Sequence, residues 1–187
     1  MRSLVALVLA GGLAQAGQGK AGCFSAEELP AKAIYDSGSV LEYLGREGDV
    51  LTYRSGPVTT RMKDGLWPLE HSTTDGVRTQ YRWDTLLPDL ARVIADGGKA
   101  RVEGRMKQGD QDWIPVAAEV EVLRQDTQDW EDCRYGVVEF RKTVHADGKK
   151  VSEGVVVYAP AAMISFRSDA VEVGSGKVYT YRLTELQ

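Results

Sequence analysis

Short pairs of aspartate and glycine recur along the chain, and they limit its possible folds more than any other feature of the sequence. The sequence contains no asparagine, so turns that could use Asn-Gly must use aspartate with glycine instead. These residues tolerate the positive φ angles that two-residue hairpin turns require. Because runs rich in Val, Tyr, Thr and Trp separate the pairs, the pattern predicts an antiparallel meander. The pairs are Gly48-Asp49, Asp64-Gly65, Asp75-Gly76, Asp96-Gly97-Gly98, Gly109-Asp110 and Asp147-Gly148.

Two of the runs between turns alternate cleanly between apolar and charged residues. In Arg101–Lys107 the basic residues share one face, and in Val116–Arg124 Glu119 and Glu121 lie opposite the apolar face. A turn between the two runs would bring the basic face against the acidic one, which helps to set the pairing. We interpret these charges as the solvated face of a sheet. The other predicted strands are Val40–Leu44, Val50–Arg54, Leu66–His71, Val77–Trp83, Tyr135–His145, Val151–Tyr158, Met163–Arg167 and Val178–Leu183.

One helix is predicted over residues 85–95, with Asp84 as its cap and Asp96-Gly97-Gly98 as its end. Its apolar side is formed by Leu86, Leu87, Leu90, Val93 and Ile94 at helical spacing. We expect Leu87, Leu90 and Ile94 to be buried against Val102, Met106, Val120 or Val122.

The predicted fold class is α+β and mostly β. We expect eight to ten strands in a curved antiparallel meander sheet, or a partly closed β-barrel, packed against this one helix.

The start of the chain has the three parts of a secretory signal peptide. Arg2 is basic, Leu4 to Leu13 is apolar, and Ala14-Gln15-Ala16 matches the small-x-small cleavage pattern. The apolar part is about half the length of a membrane-spanning helix. We therefore expect a signal peptide at residues 1–16 and one β-rich domain at 17–187.

The amino-acid composition indicates the compartment and the kinds of partner of the exported chain. Arginine outnumbers lysine and asparagine is absent, which is typical of a GC-rich bacterial genome, so the periplasm is predicted, with the medium as the alternative. The formal net charge of −4 argues against nucleic acid and anionic lipid surfaces as partners. After signal cleavage no second apolar run is long enough for stable membrane insertion.

Cys23 and Cys133 are the two cysteines of the chain. An even count in an exported protein favours a disulfide, and the alternative is two free thiols, one of them a nucleophile or ligand. Lipid attachment to Cys23 is disfavoured because Lys20 stands three positions before it, where lipidation signals place an apolar residue. We expect the Cys23–Cys133 disulfide.

Motifs that would identify a reaction are absent from the sequence. His71 lies in Glu70-His-Ser-Thr-Thr-Asp75, which holds a nucleophile, a base and two acids, but adjacent residues of a strand point to opposite faces. His145 is interpreted as a turn residue. The acidic cluster at Asp126, Asp129, Glu131 and Asp132 lacks the glycine-centred pattern of a calcium loop. We therefore predict no catalytic residues, no metal site and no cofactor.

The tryptophans are the best indication of a binding function. Trp67, Trp83 and Trp113 lie near predicted strand ends or turns, where they could line a cleft together with Leu90 of the helix. They could equally be core residues whose indole N–H remains hydrated. Trp130 allows the same two interpretations.

The sequence thus favours a non-enzymatic periplasmic protein that binds a hydrophobic small molecule, or an envelope protein, in a cleft between sheet and helix. The first alternative is a protein-interaction module that uses an exposed strand edge. The second alternative is a small hydrolase that uses His71.

Overall fold

Twelve antiparallel strands form one closed sheet in the computed structural model, which describes residues 23–187. The predicted signal peptide at residues 1–16 lies outside the described residues. Consecutive strands pair throughout, and the first strand also pairs with the last, which closes the barrel. The strands are β1 (Lys32–Tyr35), β2 (Val40–Glu47), β3 (Val50–Ser55), β4 (Val58–Lys63), β5 (Trp67–Thr73), β6 (Arg78–Trp83), β7 (Lys99–Gln108), β8 (Ile114–Trp130), β9 (Cys133–Ala146), β10 (Lys149–Ala159), β11 (Ile164–Glu172) and β12 (Lys177–Leu186).

The mostly-β antiparallel meander is confirmed, and the barrel is more complete than predicted. Two strands were not expected, β1 with four residues and β4 with six. In β1, Ala33 is directly opposite Leu41 of β2 and Leu186 of β12. This short segment therefore joins the two ends of the meander and leaves no open edge between them.

The aspartate-glycine pairs lie in turns, as expected. At the turn between β9 and β10, Asp147 and Gly148 have φ angles of 50° and 72°. Two successive positive φ angles are the requirement of a type I′ hairpin turn, whose twist suits the flanking strands.

The β7–β8 ladder has the predicted opposition of charge. Arg101 lies directly opposite Glu119 and forms an ion pair with it, and Lys99 lies 2.9 Å from its partner Glu121. These side chains are on the outer face, where exposed pairs contribute little to stability. Their positions support the interpretation of this face as solvated.

The helix is shorter than predicted. The helix α1 (Leu90–Ala95) begins after Asp89, whose carboxylate accepts a hydrogen bond from the backbone N–H of Arg92 at 2.6 Å. Asp84 is not the cap, because Pro88 cannot donate a backbone hydrogen bond and disfavours helical geometry in the residue before it. Leu86 is consequently 86% exposed. In residues 23–187 no helix has the length and apolar character needed to cross a membrane.

The apolar side of α1 packs into the barrel as expected. Leu87 and Leu90 are buried with Val102 and Val120 in the first of two core clusters, and Ile94 is partly buried against it. The remaining members of the first cluster are Leu51, Leu66, Trp67, Val93, Ala118, Val138, Phe140, Tyr158 and Met163.

The second core cluster lies on the opposite face of β9 and β10. Val138 and Tyr158 belong to the first cluster, whereas their chain neighbours Val137 and Ala159 belong to the second. Successive residues of a strand point to opposite faces, so the sheet is buried on both sides here. The second cluster also contains Ala33, Tyr35, Tyr135, Ala162, Ile164, Phe166 and Leu183.

The predicted disulfide is confirmed. Cys23 and Cys133 are bonded, with their Cα atoms 5.6 Å apart and a separation of 110 positions in sequence. The backbone N–H of Phe24 donates a hydrogen bond of 3.1 Å to the hydroxyl of Tyr135, which ties the same segment to β9. A disulfide is typical of an oxidising compartment, so it indicates an extracytoplasmic location. The bonded sulfur of Cys23 also agrees with the expectation that this residue carries no lipid.

Candidate ligand-binding cavity

The first core cluster does not fill the barrel, and a cavity of about 670 Å³ remains inside it. This volume lies within the range of roughly 300–1,000 Å³ that is usual for small-molecule sites. The lining reaches from Val151, which is 37% exposed, to Phe140, which is 2% exposed. The cavity therefore connects solvent with the buried interior.

Small side chains on four adjacent strands, β8 to β11, leave this space open. Gly154 of β10 and Ala170 of β11 lie directly opposite each other, and both line the cavity. The two strands approach closely there, since a Cβ atom on Gly154 would lie 2.7 Å from the carbonyl oxygen of Asp169. Ala118, Ala146, Ser152, Ser165 and Ser168 add further small side chains to the same lining.

The facing wall is aromatic. Tyr81 and Trp83 are two residues apart on β6, so they share a face, and their rings stack at a centroid distance of 5.9 Å. The ring of His71 meets the ring of Tyr81 edge to face at 5.6 Å. The indole N–H of Trp83 donates to the carbonyl oxygen of Pro68 at 2.9 Å, which leaves the ring surface for apolar contact. The wall is completed by Tyr53, Met62 and Met106.

His71 is held in place by the strand beside it. It lies directly opposite Thr60 of β4, and its Nδ1 atom is 3.0 Å from the hydroxyl of that buried threonine. Burial, together with the nearby positive charge of Lys142, lowers the pKa of His71 below its ordinary value of 6.5. The imidazole is therefore mostly neutral at neutral pH.

The lining holds two charged residues, Lys142 and Glu153, of which Glu153 is paired with Lys150 at 2.6 Å. The ammonium group of Lys142 donates a hydrogen bond to the carbonyl oxygen of Leu66. Burial lowers the pKa of Lys142 to about 8, and no carboxylate among residues 23–187 counteracts this effect. The preceding residue, Arg141, points outward and is paired with Glu121 at 2.8 Å.

A second polar group lies close to the same part of the chain. The hydroxyl of Tyr158 is buried and has no hydrogen-bond partner among the described residues. It is in contact with Gly65, which lines the cavity, since a Cβ atom on that glycine would lie 2.4 Å from the hydroxyl oxygen. Lys142 and Tyr158 thus both reach the turn that contains Gly65 and Leu66.

The residues predicted to form a cleft are divided between three environments. Trp83 lines the cavity. Trp67 and Leu90, which are 0% and 3% exposed, are buried in the first core cluster, and the indole N–H of Trp67 donates to the carbonyl oxygen of Pro88 at 2.7 Å. Trp113 is half-buried beneath the guanidinium of Arg82, which lies 4.4 Å from the ring centroid. The structure brings Trp67, Trp83 and Leu90 together but leaves Trp113 apart.

Lys142 was not predicted as a site residue, although the sequence contains a signal for it. Phe140, Lys142, Val144 and Ala146 alternate with Arg141, Thr143 and His145 along β9. This alternation places a lysine on the face that is otherwise apolar. A cation on a buried face is unusual, because burying an unpaired charge costs free energy.

The arrangement combines features of a binding site. Aromatic and aliphatic groups offer apolar contact, small residues provide room, and a few polar groups lie at one turn. The imidazole of His71 contacts a threonine hydroxyl and an aromatic ring. Ser72 follows it on the strand and therefore points to the other face.

Comparison with known proteins supports the fold alone. No protein-family model and no curated protein sequence matches the chain. Among solved structures, the chain is similar to the hypothetical lipoprotein YmcC from Escherichia coli K12, with a TM-score of 0.53 and 9% sequence identity. The similarity covers 85% of this chain and 89% of that one. This chain therefore has the fold of a protein described as a lipoprotein.

Proposed function

We propose that the chain is a non-enzymatic binding protein of the bacterial periplasm that holds a hydrophobic small molecule inside its barrel. The observation that carries the proposal is the unfilled cavity of about 670 Å³ with an aromatic wall opposite small residues. Protein interiors normally pack to a density that leaves little empty space. A cavity of this size with solvent access is suited to a ligand.

The cavity differs from the predicted cleft between sheet and helix. Leu90 and Val93 of α1 pack directly into the first core cluster, so the helix leaves no gap beneath it. The space lies instead between the β5–β6 wall and the interior face of β9 to β11.

Two alternatives receive less support from the described residues. A module that adds a partner strand needs a free sheet edge, whereas pairing of β1 with both β2 and β12 closes the described sheet. A hydrolase needs a base beside a nucleophile that the substrate can reach, whereas the Thr60 hydroxyl beside His71 belongs to a buried residue outside the cavity lining.

Binding of an uncharged fluorescent probe tests the proposal. N-phenyl-1-naphthylamine fluoresces strongly in apolar surroundings, and we expect saturable binding with one site per chain. Ala170→Trp fills the cavity and should abolish the signal. Val178→Trp adds the same side chain at a position that is 63% exposed, so binding should persist.

Contrary results are equally clear. Absence of probe binding to the folded wild-type protein, or equal binding to both tryptophan variants, would show that the cavity is not the site. Native mass spectrometry of protein purified from the periplasm provides the physiological readout, since a co-purifying small molecule should be lost from Ala170→Trp.

The location can be tested independently. N-terminal sequencing of the exported protein should begin at or near Gly17. A mature form that retains Arg2 would contradict export by cleavage.

A further inference from the structure

The ammonium group of Lys142 has unused hydrogen-bonding capacity inside the cavity. It carries three N–H donors, and the Leu66 carbonyl is the acceptor that it meets among residues 23–187. Arg141 pairs with Glu121 and Lys150 pairs with Glu153, whereas Lys142 forms no ion pair with any residue of the described chain. A buried cation without a counterion favours binding of an anion.

The hydroxyl of Tyr158 lies near the same turn but outside the lining of the cavity. It is buried, has no partner among the described residues and contacts Gly65. Buried hydroxyls are usually hydrogen-bonded, so an unpaired one calls for an explanation. Burial and the nearby Asp64 carboxylate raise the pKa of Tyr158, so the group that lines the cavity and can pair with the carboxylate of a ligand is Lys142.

We infer that the cavity binds an amphiphilic carboxylic acid, whose carboxylate pairs with Lys142 while its apolar chain lies against Tyr81 and Trp83. This inference rests on the proposed function and adds the charge of the ligand to it. The aromatic wall and the small residues of β10 and β11 provide apolar contact along the rest of the cavity. A small hydrophilic anion would leave that space unfilled.

A matched pair of ligands separates the contribution of the carboxylate charge to binding from that of the alkyl chain. Dodecanoate and dodecanol have the same number of carbon atoms and differ at the head group. Both are titrated, below their aggregation limits, as competitors of N-phenyl-1-naphthylamine. We expect dodecanoate to bind about 10-fold or more tightly than dodecanol, as is usual for a charge-assisted hydrogen bond in a buried site. Acetate should fail to compete at the same concentration.

A substitution tests the role of Lys142. Lys142→Met should abolish the preference for dodecanoate while dodecanol still binds. Lys177→Met is the matched control, because it removes a lysine from the exposed side of β12, where it lies over the ring of Tyr179. The preference of Lys177→Met for dodecanoate over dodecanol should equal that of the wild-type protein.

The outcomes distinguish this inference from the proposed function. Equal binding of dodecanoate and dodecanol to the wild-type protein, or an unchanged preference in Lys142→Met, would overturn the inference and leave the apolar site intact. Competition by acetate as effective as that by dodecanoate would also overturn it. Failure of the probe and of both ligands to bind would overturn the inference and the proposed function together. Retained binding of dodecanol shows that Lys142→Met is folded.

Discussion

Replacement of the buried Lys142 by methionine should change how the stability of the protein depends on pH. The pKa of this lysine is about 8 in the folded protein, against 10.5 for an exposed lysine. The unfolded chain therefore binds more protons between these two values, so the free energy of unfolding rises with pH in that range. At neutral pH the charged group costs the folded state about 3 kcal/mol relative to a neutral lysine.

The change in the free energy of unfolding with pH is a better readout than its value at one pH. Lys142→Met removes the charged group, which stabilises the folded state. The Leu66 carbonyl loses its hydrogen-bond donor at the same time, which costs about 1–3 kcal/mol and offsets much of that gain in stability. Between about pH 8 and pH 9.5, however, the free energy of unfolding of the wild-type protein should rise by about 1.5 kcal/mol, and the variant should lack this rise. The comparison stops below pH 10, because burial raises the pKa values of Tyr35 and Tyr158, whose ionisation on unfolding would lower stability above that point.

Urea denaturation followed by tryptophan fluorescence measures this difference. Both proteins are unfolded at pH 7, 8 and 9.5 under one ionic strength, and the midpoints and slopes give the free energies. The described chain has no free cysteine, so disulfide exchange does not interfere at alkaline pH. An equal change in the two proteins between pH 8 and pH 9.5 would refute the assignment of Lys142 as a buried, unpaired cation.

Three further predictions follow from the core, the disulfide and the histidine. Leu90→Ala should lower the free energy of unfolding by about 2–5 kcal/mol in urea titrations, because it leaves a cavity at a residue that is 3% exposed; a loss below about 0.5 kcal/mol would contradict the packing of α1. Non-reducing peptide mapping should detect the Cys23 and Cys133 peptides as one disulfide-linked pair, and separate peptides would exclude the bond. Replacing both cysteines by serine should lower the free energy of unfolding by about 4–5 kcal/mol in the chain-entropy model. Because burial lowers the pKa of His71, the unfolded state binds the proton more readily, so the free energy of unfolding should fall as pH drops through 6.5. His71→Gln should weaken this pH dependence. An identical pH profile of the two proteins would contradict the burial of the imidazole.

Most strands were predictable because their signals are local. Alternation over Arg101–Lys107 and Val116–Arg124 indicated β7 and β8, and the Gly109-Asp110 turn marked the end of β7. The strand β4 was missed because its sequence, Val-Thr-Thr-Arg-Met-Lys, has weak alternation, although Thr60 is buried. The helix was predicted too long because leucines before Pro88 suit a helical pattern that proline does not allow.

The candidate site was only partly predictable. Trp83, which was proposed to line a cleft, lies at the cavity, whereas Trp67 has the same local signals and is fully buried in the core. The difference arises from how β5 and β6 curve into the barrel, which no local pattern records. Lys142 could have been found from its position between Phe140 and Val144, but its lack of a counterion is a property of the assembled lining.

The sequence by itself determined the antiparallel meander, the turns and the pairing of Cys23 with Cys133, because each depends on residue types at short spacing or on a simple count. Closure of the barrel depended on β1, a strand of four residues whose partners come from β2 and from the far end of the chain. Pairing of this kind is a long-range contact, and its free energy depends on the twist and register of all twelve described strands. The cavity depended on the same closure, since Gly154, Ala170 and Lys142 acquire a common interior only when β9 to β11 face the aromatic wall of β5 and β6.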